Sequence, residues 1–321
     1  MFVIISLLLL ICYIFYRYFF PSVYNIDSKG KFVLISGCDT GFGHETAIQL
    51  DRRGFHVLAG VFLDANISLL ESKLSSRATV FHLDITKQDN INAVYELVRT
   101  KTQVLHALVN NAGVSSGGYI DWMSMECFRR LMDVNFFGHV AMTKQFLPLL
   151  LAKKDSRIVN MSSMCGFINF PGASTYSASK HALEAFSDCL RREMFPWNLR
   201  VSLIEPGAML TGMVQTVEND LRKFWTQGTV DARERWGDEF FNQSLLLTLN
   251  SPTVKYAENP MKVVRAIEHA VSSSKPRIRY RPGWQSSCLF FPLSLLPAWL
   301  LDKIISLTFS QQPIGVKHQI N

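Results

Sequence analysis

The chain opens on an almost unbroken apolar run, residues 1–20, in which Arg17 is the only charge. About 20 such residues, coiled as a helix, match the hydrocarbon core of a bilayer. A cleaved signal wants a basic start and small residues at its exit. This run has neither, and leaves through Tyr, Arg, Tyr, Phe, Phe and Pro, residues suited to a membrane interface. The pattern predicts an uncleaved membrane anchor over 1–20 and a linker over 21–30, with a removed signal peptide as the competing reading. A second apolar stretch, Cys288–Leu301, carries Pro292 and Pro297 and is too short and broken to span. It reads as a membrane-leaning element of a substrate pocket within a C-terminal segment, 286–321. Plain core is the alternative.

Between these ends the pattern alternates. Lys31–Ser36 is a short run of β-formers, and Thr40–Arg53 has helical spacing stopped by Gly54. Strands follow at His56–Val61, Thr79–Leu83 and Ala107–Val109, with a helix over Gln88–Thr100. Further on come a long helix over Phe128–Leu150, a strand at Arg157–Ser162, a helix over Tyr176–Met194 and a strand at Val201–Ile204. Repeated strand–helix–strand predicts one α/β domain over 31–285, built on a doubly wound parallel sheet with both faces covered. Such sheets bind ligands at the carboxyl ends of their strands.

Composition narrows the class. Of 321 residues 48% are hydrophobic and 18% charged, which excludes a disordered chain. Six cysteines without CxxC spacing argue against a zinc site or a disulfide framework. The net charge of +7 is thinly scattered, so nucleic acid is not an expected partner. Its densest cluster, Arg277, Arg279 and Arg281, alternates onto one face of an extended segment. That face reads as a solvated strand end, with a membrane-surface contact as the alternative. Arg17, Lys29 and Lys31 all follow the apolar run and place the body on the cytoplasmic side. Asn66-Ile67-Ser68 would be an available glycosylation site were the body lumenal.

Gly37-Cys38-Asp39-Thr40-Gly41-Phe42-Gly43 sits between the first strand and the first helix. Glycines there let backbone amides approach a pyrophosphate. An ordinary turn is the bland alternative, made weaker by the position. No Lys or Arg occurs in Gly60–Asp64, where a 2′-phosphate would need one, and Asp64 can accept from ribose hydroxyls. NAD is therefore expected rather than NADP.

Tyr176 and Lys180 stand at i and i+4 on one helix, and the cation is expected to lower the tyrosine's pKa. Tyr176 can then exchange a proton with an alcohol while hydride moves to a nicotinamide. Ser163, at a strand end, can bond the same oxygen, and Asn135 is a candidate for a water-linked relay to Lys180. Taken singly, each has an ordinary reading as a surface pair, a turn serine or a helical asparagine.

Together the pieces resemble the short-chain dehydrogenase/reductase family, over roughly residues 30–215. The matching residues are Gly37–Gly43, Asp84, Asn110-Asn111-Ala112-Gly113, Asn135, Ser163, Tyr176, Lys180 and Pro206-Gly207. Ser36 stands where the family usually has Thr. The resemblance implies a Rossmann-like fold and a catalytic tetrad of Ser163, Tyr176, Lys180 and Asn135. It implies a cofactor site of Ser36, Gly37, Gly41, Phe42, Gly43, Asp64, Asp84, Asn111, Ala112, Gly113, Tyr176, Lys180, Pro206, Gly207 and Thr211. Asp84 would contact adenine, Asn111 the adenine-side ribose region, and Pro206, Gly207 and Thr211 the carboxamide. The Cys38-Asp39 loop, Leu50-Asp51-Arg52-Arg53-Gly54, Arg277–Gly283, Trp284 and Pro292–Asp302 are similar to the retinol and 17β-hydroxysteroid dehydrogenase branch. That branch implies a lipophilic alcohol substrate, NAD and a membrane, the endoplasmic reticulum, and leaves a homodimer open. Phe224, Trp225, Trp236, Phe240 and Phe241 offer surface to a flat apolar ligand, with plain packing as the alternative. Two rival functions remain: a dehydrogenase of a small hydroxy acid such as 3-hydroxybutyrate, using Arg222 or Lys223, and a silent dinucleotide- or lipid-binding scaffold.

Overall fold

The computed structural model describes residues 25–212, 217–309 and 313–317. The expected anchor over 1–20 lies outside them. The first strand, β1 (Phe32–Ser36), leads through the glycine loop into α1 (Gly41–Arg52). Then follow β2 (His56–Val61), α2 (Ala65–Glu71), β3 (Thr79–His82), α3 (Gln88–Lys101) and β4 (Leu105–Asn110). All seven strands pair in parallel in the order β3-β2-β1-β4-β5-β6-β7, with β5 (Arg157–Met161), β6 (Arg200–Ile204) and β7 (Arg279–Tyr280) completing the sheet. The direction of strand order reverses between β1 and β4, which opens a crevice at their carboxyl ends.

Alternation along the strands divides the core in two. Val33 and Ile35 face one side with Val57, Val109 and Val159, under α1. Leu34 faces the other with Leu58, Leu108 and Ile158, under α3. Because helices cover both faces, the strands are apolar throughout. The strand boundaries read from the pattern hold to within two residues. The short helix α2 was not anticipated; only Leu70 of it is buried, so its apolar signal is weak.

The long helix departs from expectation. It begins at Met125 as α4 (Met125–Met132), widens into a π-helical turn over Asp133–Gly138, and continues as α5 (His139–Leu151). A Cβ at Gly138 would stand 2.7 Å from the Ile85 side chain. The helix thus packs closely against the loop after β3 at the turn that carries Asn135. A π turn adds one residue to a helix without erasing its apolar stripe, so spacing alone does not reveal it.

Beyond α6 (Ser174–Glu193) and β6 come α7 (Val217–Gln227), α8 (Val230–Trp236), α9 (Asp238–Leu249), α10 (Pro252–Lys255) and α11 (Met261–Ser272). Here the packing reading holds for Trp225, Phe240 and Phe241. Trp225, Phe240 and Phe241 are buried against one another, Trp122 and Trp236, and Trp225 stacks on Phe241 at 5.0 Å. They form a small core of their own, because rings that meet edge-on and stacked satisfy each other without a ligand.

The C-terminal part runs through a π-helical turn (Gln285–Phe290), α12 (Phe291–Ser294), α13 (Ala298–Thr308) and α14 (Ile314–Lys317). No residue of α13 is buried, although seven of its eleven residues are apolar. Among the described residues no helix is long and apolar enough to cross a membrane. The arginine cluster is also corrected. Only Arg277 is exposed, while Arg279 and Arg281 turn onto the carboxylate of Glu205.

Candidate active site

The crevice is built from the ends of β1, β4, β5 and β6. Gly37 and Gly41 have φ of +71° and +64°, a left-handed backbone that glycine adopts without strain. A Cβ on Gly37 would stand 2.7 Å from the Ala112 Cα, and one on Gly43 would collide with the Gly37 carbonyl and the Asn111 amide. The loop is therefore close-packed against the turn after β4. Above Gly41 a Cβ would meet nothing. Thr40 makes no side-chain cap and the first turn of α1 holds no acid. The α1 N-terminus thus presents unsatisfied amides to open space, which fits the pyrophosphate of a dinucleotide.

Ser36 and Asn111 hold this loop together rather than reach out of it. The Ser36 hydroxyl accepts from the Asn111 and Ala112 amides, both at 3.1 Å. The Asn111 side chain donates to the Ser36 and Gly37 carbonyls at 3.0 Å each. This internal bridge places Asn111 at the edge of the crevice, between the glycine loop and the turn after β4. The acidic residues at the second and third strands are likewise engaged. Asp64 lies 3.0 Å from His82 Nδ1 and points into solvent. Asp84 Oδ1 accepts from the Thr86 amide and hydroxyl. The loop's own Asp39 fills the end of β2 instead, accepting from the Phe62 and Leu63 amides and from Asn66 Nδ2 at 2.8–2.9 Å. Three donors around one carboxylate fix it in place beside the dinucleotide crevice.

On the other side, Pro206 and Gly207 leave β6 and are fixed by Met164, whose amide donates to the Pro206 carbonyl at 2.9 Å, and by Pro282. Thr211 lies four residues on, its amide turned to the Met209 carbonyl.

The candidate reacting groups meet between these walls. Ser163 ends β5 in an extended conformation, and its Oγ accepts from the Cys165 amide at 3.2 Å. That leaves its proton free, and Ser163 lies near enough to the Tyr176 hydroxyl to favour the phenolate there. One turn on, Lys180 Nζ donates to the Met161 carbonyl at 2.8 Å and stands 5.6 Å from the Tyr176 ring centroid. The expected lowering of the tyrosine's pKa does not occur. Burial pushes the phenol well above its ordinary range, and the Cys165 thiol adds to this. Burial also pushes Lys180 down, to about 8. Desolvation disfavours both charged forms and outweighs the attraction across one turn.

Asn135 does not touch Lys180. Its Oδ1 accepts from the Val114 amide at 2.9 Å, and its Nδ2 donates to the Val114 carbonyl and to Ser179 Oγ. It joins the π turn, the loop after β4 and the catalytic helix α6. Two neighbours escaped the sequence reading. His139 Nε2 donates to the Ala112 carbonyl at 2.7 Å, and burial holds this imidazole neutral, its pKa pushed to about 3. Cys165 lies among Ser163, Ser177 and Lys180, its thiol pushed up by burial. A lone His on a helix and an unpaired Cys give no signal in spacing.

This geometry has known counterparts. The short chain dehydrogenase family model matches residues 31–222. The chain belongs to the short-chain dehydrogenase family. It is 39% identical to a 17-beta-hydroxysteroid dehydrogenase type 6 from Bos taurus over 87% of this chain and 88% of that one. A retinol dehydrogenase 7 from Rattus norvegicus is 37% identical over 86% and 88%. Among solved structures, a short-chain dehydrogenase from Streptomyces avermitilis superposes with a TM-score of 0.68 at 24% identity, over 89% of this chain and 97% of that one. One from Burkholderia cenocepacia, in complex with NADP, gives 0.67 at 21% over 87% and 99%. Both share the Rossmann-like fold of this dehydrogenase.

Gly43→Ala is expected to leave this dehydrogenase folded but to abolish dinucleotide binding, because the methyl must displace the glycine loop from Asn111. Fluorescence titration with NADH, alongside circular dichroism, checks both parts.

Proposed function

We propose that this dehydrogenase transfers hydride between a lipophilic alcohol, a retinoid or a hydroxysteroid, and NAD at a membrane. The reading is carried by the meeting of the Ser163 and Tyr176 hydroxyls beside Lys180, at the strand ends that also present the open α1 N-terminus. A bound nicotinamide dinucleotide supplies the hydride acceptor or donor. The chain supplies the proton chemistry. Ser163 orients the substrate oxygen, Tyr176 exchanges its proton, and Lys180 sets the charge beside the phenol. Asn135 holds Val114 and Ser179 in register around them.

Three observations support the substrate class. The similar proteins named above are a hydroxysteroid and a retinol dehydrogenase. Arg222 and Lys223, the cations a small hydroxy acid would need, are exposed, and Arg222 is paired with Glu218 at 2.9 Å. The loops after β4 and before α6 are joined by Gly118 to Gly172 and lie against Leu221, Met123 and Phe224, an apolar wall. The complete set of proton-handling groups favours an enzyme over a silent scaffold.

NAD over NADP is supported by the charge at β2. Asp39 and Asp64 stand there, and no cation lies in Gly60–Asp64. Membrane association is supported by the apolar run over 1–20 and by α12 and α13 with the turn between them, where Leu295 and Trp299 are each 70% exposed and Leu307 is 77% exposed. Exposed rings and aliphatic chains of this size suit a lipid interface. The charges after the apolar run favour a cytoplasmic body, at the endoplasmic reticulum in keeping with the family branch.

Three measurements test these points. Tyr176→Phe should lower kcat by about 10²–10⁴-fold while NADH still binds, since only the proton-exchanging hydroxyl is lost; turnover above a tenth of wild type would remove the assignment. The ratio of kcat/KM should favour NAD, and Phe62→Arg, at a half-exposed position, should move it towards NADP. In flotation after carbonate extraction, deletion of 1–20 should release much of the protein, and adding Leu295→Ser and Trp299→Ser should release the remainder. A full-length protein that stays soluble would overturn the membrane reading.

A further inference from the structure

The chain enters the described fold at the end of the sheet opposite the crevice. Asn25 bridges antiparallel to Ser273, and the Ile26 amide donates to the Ser272 carbonyl at 2.8 Å. Ser272 closes α11, and Ser273 begins the loop into β7, the outer strand of the sheet. Asn25 is five residues beyond the apolar run over 1–20. Five residues span at most about 18 Å when fully extended. An anchor over 1–20 therefore tethers this end of the sheet close to the bilayer it crosses.

The surface beside that entry is basic and carries exposed rings. A groove of about 420 Å³ lies between the loop into β6 and the loop into β7, lined by Arg191, Arg192, Phe195, Arg200, Pro276 and Ile278 among others. Phe195 is 81% exposed, Trp197 49% and Ile278 47%. Phe195 and Trp197 flank Pro196 in one tight turn, closed by Asn198 at φ +56°. The turn buries none of its three residues, so the core does not account for two large rings there.

Positive charge exceeds negative on this face. Asp188 serves three guanidiniums, Arg191 at 3.3 Å, Arg192 at 3.7 Å and Arg279 at 3.1 Å. Arg200 pairs with Asp155 at 2.6 Å. Lys153 and Lys154, at the entry to β5, and Lys275 and Arg277, at the entry to β7, are exposed and reach no acid among the described residues. Against these four stands the exposed Glu193.

We propose that this end of the sheet docks on the headgroups of an anionic bilayer, with Phe195 and Trp197 at the interface and Arg192, Lys275 and Arg277 on lipid phosphates and carboxylates. The proposal rests on the membrane reading above and extends it from the apolar segments to a headgroup contact. Rings of this kind suit the interface, and exposed cations are drawn to an anionic leaflet. The C-terminal apolar segment follows β7 and this groove precedes it, so the two contacts flank the same edge strand. A second copy of the chain is a poorer occupant, because a twofold axis through this face would set its cations against themselves. A free phosphate is poorer too, since Arg191, Arg192 and Arg200 already hold carboxylates and the unpaired cations are spread over two loops.

The test is hydrogen–deuterium exchange of the full-length protein in phosphatidylcholine vesicles with and without about one quarter phosphatidylserine. Amides of 194–199 and 274–278 should exchange about fivefold more slowly in the anionic vesicles, the effect of one cation near such a surface. Salt at about 0.5 M should remove the difference, because it shortens screening to about 4 Å. Lys275→Glu with Arg277→Glu should abolish it, and so should Phe195→Ser with Trp197→Ser. All four positions are exposed, so NADH binding should stay within about twofold of wild type in both variants. Equal exchange in the two vesicles overturns the proposal. So does protection that inorganic phosphate reproduces without vesicles, or that grows with protein concentration in phosphatidylcholine alone, which marks a second copy. Flotation after carbonate extraction separates the two readings. A protein that floats yet exchanges equally loses only this contact, whereas one that neither floats nor gains protection from added anionic vesicles loses both.

Discussion

The bridge made by the Ser36 hydroxyl is the contact on which the site depends. One buried oxygen at the end of β1 accepts from two successive amides, Asn111 and Ala112, at the end of β4. These two strands pair in parallel at the point where the sheet reverses its order, and the tie carries their pairing past the last ladder residues. The glycine loop then has no freedom: Gly37 abuts the Ala112 Cα, and Asn111 donates back to the Ser36 and Gly37 carbonyls. A hydroxyl at position 36 is needed and a threonine methyl is not, which is why Ser serves there. His139 extends the same tie outward, taking the Ala112 carbonyl that Ser36 leaves unmet. A buried acceptor left unpaired would cost about 1–3 kcal/mol.

Desolvation governs the chemistry built on this frame. Tyr176 and Lys180 are one turn apart, and attraction between a phenolate and an ammonium at that spacing is real. Yet both groups are buried, and burial opposes the phenolate and the ammonium alike. The phenol rises and the lysine falls, so the helix alone does not hold a tyrosinate ready at neutral pH. What tunes the pair is the surrounding set of short polar contacts: Ser163 on the phenol, the Met161 carbonyl on the ammonium and Glu184 one turn behind it. The sequence pattern shows which residues share a face of α6 but carries no measure of how dry that face is.

That difference explains which parts were legible. Strand positions followed from runs of β-formers, and the family followed from an ordered set of short motifs, because both are encoded locally. Residues whose partners are distant in the chain were misjudged. The bridge by which Asn111 reaches 75 residues back to Ser36 left no mark in the local pattern. Arg279 and Arg281 looked like a solvated strand end, because Glu184 and Glu205, which meet them, lie on other elements. The π turn at Asn135 was hidden for a different reason: it alters hydrogen bonding without altering apolar spacing.

The C-terminal segment draws these threads together. Its outer surface presents Leu295, Trp299 and Leu307 to solvent, and its inner surface sets Phe291 against the Arg281 guanidinium and Phe290 against Phe170. Arg281 in turn lies on Glu205, and Glu205 begins the turn that carries Pro206 and Gly207. A guanidinium between an aromatic face and a carboxylate is held from both sides, and desolvation strengthens each contact. Contacts run from this segment through Arg281, Glu205 and Arg279 to the helix that bears Lys180. An apolar substrate arriving from a bilayer would meet a wall whose position is fixed by the same charges that face the reacting lysine.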